Sequence, residues 1–209
     1  FVRLDRRGRV QDTWFRSSII NSDKRFTYLE AQAWIDGDGK LARKESRTDT
    51  EPTEQVIESL LEADRLARVI QKRRRRNGMI VLNLPESELT FDDEGRVEDV
   101  QEEDDAFTHT IIEMFMVEAN EAVSRLFDSM RVGILRRIHP EPAMDDLAEL
   151  RIKAGVVGFR VPDDPSRHDL QSLLDATREH SSARAVHFAV LRTLSKAEYS
   201  PAAVGHFAL

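Results

Sequence analysis

Apolar side chains recur at three- and four-residue steps through Ile111, Ile112, Phe115, Met116, Ala119, Ala122, Val123, Leu126, Phe127 and Met130, the longest run of helical period in the sequence. A helix of that length carries an apolar stripe that other elements must cover, so its burial is expected to anchor the core. A second stripe, Val56, Ile57, Leu60, Leu61, Ala67 and Ile70, predicts another long helix ending near Asn77-Gly78, where glycine suits a left-handed cap. Upstream, Thr27-Tyr28-Leu29-Glu30 fits a capping box, with the Thr hydroxyl accepting from the Glu30 N–H and the Glu30 carboxylate reaching back. The helix it starts should run through Trp34 and hold Tyr28 in its first turn.

Extended segments alternate with these helices. Phe1 to Leu4 and Val10 to Ile20 flank Arg6-Arg7-Gly8-Arg9, a hairpin turn with Gly8 at positive φ. Met79 to Leu84 and Glu88 to Phe91 read as extended, and Asp92-Asp93-Glu94-Gly95 turns the chain into Arg96 to Val100. After Gly133, Ile134 to Ile138 is strand-like, and helices are expected over 144–153, 168–177 and 183–197. Residues 36–53 have no apolar period and many Gly, charged and hydroxyl side chains, so a mobile loop is expected there. No internal repeat is present. The fold class that follows is mixed α+β, with antiparallel hairpins packed against several helices.

Composition removes several classes of function. With no cysteine there are no disulfides, thiolate metal sites or Cys nucleophiles, which fits a reducing compartment such as the cytoplasm. No apolar run approaches the roughly 18 residues that cross a bilayer, so a soluble protein is expected. A net charge of −7 disfavours a nucleic-acid binder when taken as an average, but the charge is blocked: Lys72-Arg73-Arg74-Arg75-Arg76 is basic, while Asp92-Asp93-Glu94 and Glu102-Glu103-Asp104-Asp105 are acidic. Both ends of the sequence read as internal to a larger domain.

None of His109, His139, His168, His180, His187 and His206 has the spacing of a zinc helix, although His180 and His187 could share a helical face. Asp92-Asp93 is read as turn chemistry rather than as a hard-cation site. No Ser-His-Asp arrangement, Gly-rich phosphate loop or nucleophile elbow occurs. The basic block at 72–76 reads either as a solvated helix end that complements the macrodipole or as a phosphate contact at the mouth of an RNA path. Glu113 and Asn120, seven apart, fall on one side of the long helix, either as a satisfied polar pair at a helix–sheet junction or as ligand contacts.

Thr27-Tyr28, Asn77-Gly78, Leu82-Asn83-Leu84-Pro85-Glu86, Ile112-Glu113 to Ala119-Asn120, Arg137-Ile138-His139, Leu191-Arg192 and Gly205-His206-Phe207 occur in one order along the chain. Together they resemble the RNB catalytic domain of the ribonuclease II and ribonuclease R family, whose members degrade RNA from its 3′ end. The resemblance implies a larger RNB-type α/β catalytic domain of which residues 1–209 form the central and later part. It also implies that Tyr28 and Glu113 lie near the bound 3′ nucleotide and favour ribose, as groups that read a 2′-OH do. Leu82 and Asn120 are the further RNA contacts it implies, and Arg137, His139, Arg192 and His206 are candidates for RNA or phosphate contact.

Two positions depart from the family's pattern. Leu82 stands where an aromatic residue, usually Phe, often packs on the terminal base, and Met114 stands where a second acidic residue often follows Glu113. Catalysis in the family is hydrolytic and uses a divalent metal, typically Mg²⁺, held by an Asp cluster near the start of the domain. Neither that cluster nor the family's Thr-Ser-Pro-Ile-Arg motif occurs in these residues. No catalytic or metal-binding residue is therefore assigned within 1–209, and these residues alone are expected to be inactive. The implied parent is a monomeric exoribonuclease on single-stranded RNA with flanking RNA-binding domains and no membrane association. The alternatives are a catalytically inactive relative that binds RNA or regulates another factor, and an unrelated α+β interaction module.

Overall fold

The computed structural model describes residues 1–82, 84, 87–92, 94–102, 104–202 and 206–208, with the backbone alone at 87, 88, 101 and 102. The chain forms two compact units, one of Phe1–Arg73 with Glu103–Ser129 and one of Arg74–Glu102 with Met130–Leu209. Helices and short antiparallel strand pairs make a mixed α+β fold, as the sequence pattern predicts. Among the described residues no helix is long and apolar enough to cross a membrane.

The first unit opens with strands β1 (Val2–Leu4) and β2 (Val10–Thr13), paired antiparallel with Val2 opposite Thr13. Gly8 turns them at φ +74°. Asp5 closes the turn: one carboxylate oxygen accepts the N–H groups of Arg7 and Arg9 at 2.8 and 2.9 Å, and the other accepts from the Arg9 side chain at 2.7 Å. The second strand is shorter than the predicted run to Ile20. Past Thr13 the Trp14 N–H donates to the Phe1 carbonyl at 3.1 Å, and residues 14–20 are not in a strand.

Thr27 caps α1 (Tyr28–Ile35) by accepting from the Glu30 N–H at 3.0 Å. Only that half of the expected capping box forms. The Glu30 carboxylate turns instead to Lys24, at 2.9 Å, with both side chains almost fully buried. The Lys24 ammonium also donates to Ser46 Oγ at 3.0 Å, Thr48 Oγ1 at 2.7 Å and the Thr50 carbonyl at 2.7 Å. A short helix, α2 (Gly39–Glu45), occupies the stretch expected to be a mobile loop. It forms because Asp38 accepts from the Lys40 and Leu41 N–H groups at 3.1 and 3.0 Å, and it buries a single side chain, Ala42.

Two long helices complete this unit, α3 (Glu54–Arg76), which belongs to it up to Arg73, and α4 (Phe107–Ser129). Both lie where the apolar periods place them. The face that α4 buries is narrower than its apolar period, being Thr108, Ile111, Met114, Glu118 and Ala122, while Ile112 and Met116 stay more than half exposed. Glu118 is tolerated in that stripe because Arg73 bonds it and also the Gly8 carbonyl. Arg73 is thus a strut rather than a solvated helix end, and Arg74 is buried as well.

The second unit is built on α5 (Met144–Val156), α6 (Arg167–Thr177) and α7 (Ala183–Thr193). Ser166 and Asp169 form a complete capping box on α6. The core joins Ile80, Leu150, Ala154, Val161, Leu170, Leu173, Leu174, Val186, Ala189 and Val190. Burying a Leu of this kind contributes about 1.5–3 kcal/mol each. Gly78, at φ +94°, is the predicted left-handed position after α3.

Residues 79–82 are not the expected strand, because their partners are not a strand: Ile80 N–H bonds the Ala208 carbonyl at 3.1 Å and Val81 N–H bonds the Gln171 side chain at 2.7 Å. The hairpin of β3 (Ser87–Phe91) and β4 (Val97–Glu102) lies where predicted. A further pair joins β5 (Arg136–Ile138) to β6 (Glu198–Ser200). The expected helix over 183–197 stops at Thr193, since Leu194 turns extended and the chain pairs with β5 from Glu198.

Candidate nucleic-acid interface

Tyr28 stands where α1 meets the start of α4. The Thr108 hydroxyl donates to the Tyr28 carbonyl at 2.9 Å, which ties the two helix ends. One residue on, the His109 ring stacks on the Tyr28 ring, with centroids 3.7 Å apart and planes 24° from parallel. His109 Nε2 lies 3.0 Å from Asp104 Oδ1, and the same oxygen accepts the Ala106 N–H at 3.2 Å. A carboxylate at this entry to α4 is favoured by the positive end of the helix.

Beside this stack is a groove of about 470 Å³ whose walls include Phe26, Tyr28, Leu29, Ile111 and Ile112, with Arg25 and Arg47 as cations. Tyr28 remains 43% exposed, enough to meet a ligand on its uncovered surface. The groove is largely apolar with a few charged groups, the general composition of a small-molecule or nucleotide site.

Glu113 is exposed and lies four residues after His109 on α4, so ring stack and carboxylate share one helix face. Asn120 is exposed two turns further along. Met114, adjacent in sequence, is fully buried, so the apolar residue there serves the core. His109 and Asp104 are absent from the sequence-based site, since the stack that recruits them joins residues 28 and 109.

In the second unit, Leu82 is half-buried against the core, and its neighbours Asn83, Pro85 and Glu86 lie outside the described residues. Arg137, His139 and His206 come together at the β5–β6 end. His139 and His206 form an isolated parallel bridge, with ring centroids 4.9 Å apart. Burial first, then the charges of His139 and Arg137, hold the His206 pKa below its ordinary value. Gly205 lies outside the described residues. Arg192 sits apart from them, in a small cleft between α5 and α7 with Asp146, Glu149 and Lys153, where acidic neighbours already answer its charge.

The Asp92 carboxylate is committed to its turn, accepting the N–H groups of Glu94 and Arg96 at 3.0 and 2.8 Å and the Arg96 side chain at 2.8 Å, while Asp93 lies outside the described residues. Among the described residues no three His, Asp or Glu side chains come together to hold a metal ion. No chemical step through a metal is assigned to the described residues.

The RNB domain family matches residues 1–209, and the chain belongs to that family. It is similar to proteins named ribonuclease R from Thermotoga maritima (28% identity over 100% of this chain), Aquifex aeolicus (30% over 99%) and Escherichia coli (26% over 100%). It spans 28% of the length of the first two and 25% of the third. Among solved structures, Mycoplasma genitalium RNase R in complex with ribose methylated single-stranded RNA matches with a TM-score of 0.87 and 26% identity, covering 99% of this chain and 31% of that one.

Proposed function

We propose that these residues form part of the RNA path of a hydrolytic 3′-to-5′ exoribonuclease that acts on single-stranded RNA and releases nucleoside 5′-monophosphates. The observation that carries the reading is the corner of α1 and α4, where an exposed Tyr28 lines a groove and stacks on His109, and Glu113 follows His109 by one turn on α4. A ring supplies a sequence-tolerant surface for a base or sugar, and a carboxylate accepts from a 2′-hydroxyl, the group that separates RNA from DNA. Asn120 extends the same face. Within the second unit taken by itself, Leu82, Arg137, His139 and His206 are proposed as RNA contacts, with Arg192 the weakest candidate because of its acidic neighbours. The Mg²⁺ of the reaction belongs to residues outside these 209.

The test uses the full-length protein that contains this chain, with matched single-stranded RNA and DNA in Mg²⁺. Nucleoside monophosphates should appear from the 3′ end. Hydrogen bonds to charged groups contribute about 1.5–3 kcal/mol, so Glu113→Ala should reduce the preference for RNA by about 10- to 150-fold. Tyr28→Ala should reduce it in the same direction. Equal RNA-to-DNA ratios in wild type and both variants reject the assignment.

A further inference from the structure

We infer that His109 and Asp104 are positioning residues for Tyr28: Asp104 fixes the His109 ring, and the ring fixes the orientation in which Tyr28 meets a ribonucleotide. The inference rests on the proposed role of Tyr28 and adds what makes that side chain selective. A tyrosine 43% exposed at a helix end would ordinarily exchange rotamers on a fast timescale. Here one face of the ring is covered at 3.7 Å by an imidazole. The imidazole is itself held, because Asp104 Oδ1 lies 3.0 Å from Nε2, and in the Nε2–H tautomer the ring N–H donates to that carboxylate oxygen, which fixes the ring's plane.

Asp104 has little freedom either, since the same oxygen is engaged by the Ala106 N–H. The backbone repeats the connection one residue away, where the Thr108 hydroxyl holds the Tyr28 carbonyl. Side chain and main chain of Tyr28 are thus both referred to the first turn of α4, the helix that carries Glu113 one turn later. A probe of 2′-hydroxyls needs its two contacts in fixed register, and this chain of contacts supplies it.

The experiment measures binding, so it does not depend on turnover: the full-length protein is titrated, in a chelator, into 5′-labelled single-stranded RNA and DNA of one sequence. An aromatic stack of this kind is worth about a 2- to 12-fold change in an equilibrium, so His109→Ala should lower the RNA-to-DNA affinity ratio by that factor. His109→Phe, which keeps a ring but not the link to Asp104, should lower it less. In a Tyr28→Ala background, His109→Ala should have no further effect, because there is no longer a ring to position.

A ratio that falls equally with and without Tyr28 overturns the positioning role, as does an unchanged ratio in His109→Ala while Tyr28→Ala lowers it. If Tyr28→Ala leaves the ratio unchanged, the ribose-reading function itself fails and the inference falls with it. Thermal melting of each variant separates loss of folding from loss of selectivity, and Asp104→Asn, a milder change at the exposed end of the chain of contacts, must reproduce the direction of His109→Ala.

Discussion

Replacing Lys24 with Met keeps an apolar stem of similar length and removes the charge that the buried Glu30 carboxylate faces. The two side chains are 1% and 2% exposed and 2.9 Å apart. The other carboxylate oxygen of Glu30 is already buried without a hydrogen-bond partner, so the substitution strands the whole group. Removing one member of such a pair costs about 3–5 kcal/mol, against a typical total stability of about 5–15 kcal/mol. The variant also abandons the hydroxyls of Ser46 and Thr48 and the carbonyl of Thr50, which the ammonium gathers. The only two tryptophans, Trp14 and Trp34, both lie in the first unit, so their fluorescence in urea reports its unfolding. At a slope of about 1–3 kcal/mol per molar urea, the midpoint should fall by about 1 M or more. Lys24→Met with Glu30→Leu removes both charges and should recover most of the loss, because an apolar pair of similar volume is often as stable as a buried ion pair. A midpoint shift below about 0.3 M, or a double variant no more stable than the single one, refutes this account of the pair.

Gly8→Ala should cost more than Gly95→Ala in thermal melting. Both turns need positive φ, which costs an L residue about 1–2 kcal/mol, but a Cβ on Gly8 would also sit 3.0 Å from Val69 Cγ1, whereas nothing lies within 4 Å of one on Gly95. Equal losses would show that the contact with α3 carries no weight. The Asp5 and Asp92 carboxyls are held below their ordinary value of 3.8, foremost by the backbone N–H groups of Arg9 and Arg96. A carboxyl depressed in the folded state stabilises above its unfolded pKa and stops doing so as pH falls through its folded one. Melting temperature should therefore decline more steeply below about pH 4 in wild type than in Asp5→Asn with Asp92→Asn, and parallel declines would contradict the turn geometry.

Periodicity located the long helices because α3 and α4 each bury a stripe along their own length, which sequence spacing records directly. It overstated the buried face of α4, where the expected stripe included Ile112 and Met116, because the neighbours that leave them exposed are not written in the helix itself. The stretch at 36–53 read as loop because α2 buries only Ala42 and is held by the cap at Asp38, a one-residue signal. Residues 79–82 read as strand because they are apolar, yet their partners, Gln171 and Ala208, lie some ninety or more positions away. At the candidate site, motifs pointed to Tyr28 and Glu113. The ring that holds Tyr28 was not, because stacking between residues 28 and 109 is a tertiary contact that no local pattern encodes.

The turns at Asp5 and Asp92 are the same device. In each, an Asp accepts the main-chain N–H groups two and four residues later, a Gly at φ +74° or +77° follows, and an Arg closes the loop. Everything the bend requires is contained within Asp5–Arg9 or Asp92–Arg96. Contacts this local close in about 10–100 ns, and hairpins zip in about 1–10 μs, well before distant segments must find one another. Strand register in both ribbons is therefore settled at the outset of folding, and the slow step is left to helices whose partners are far away in the chain.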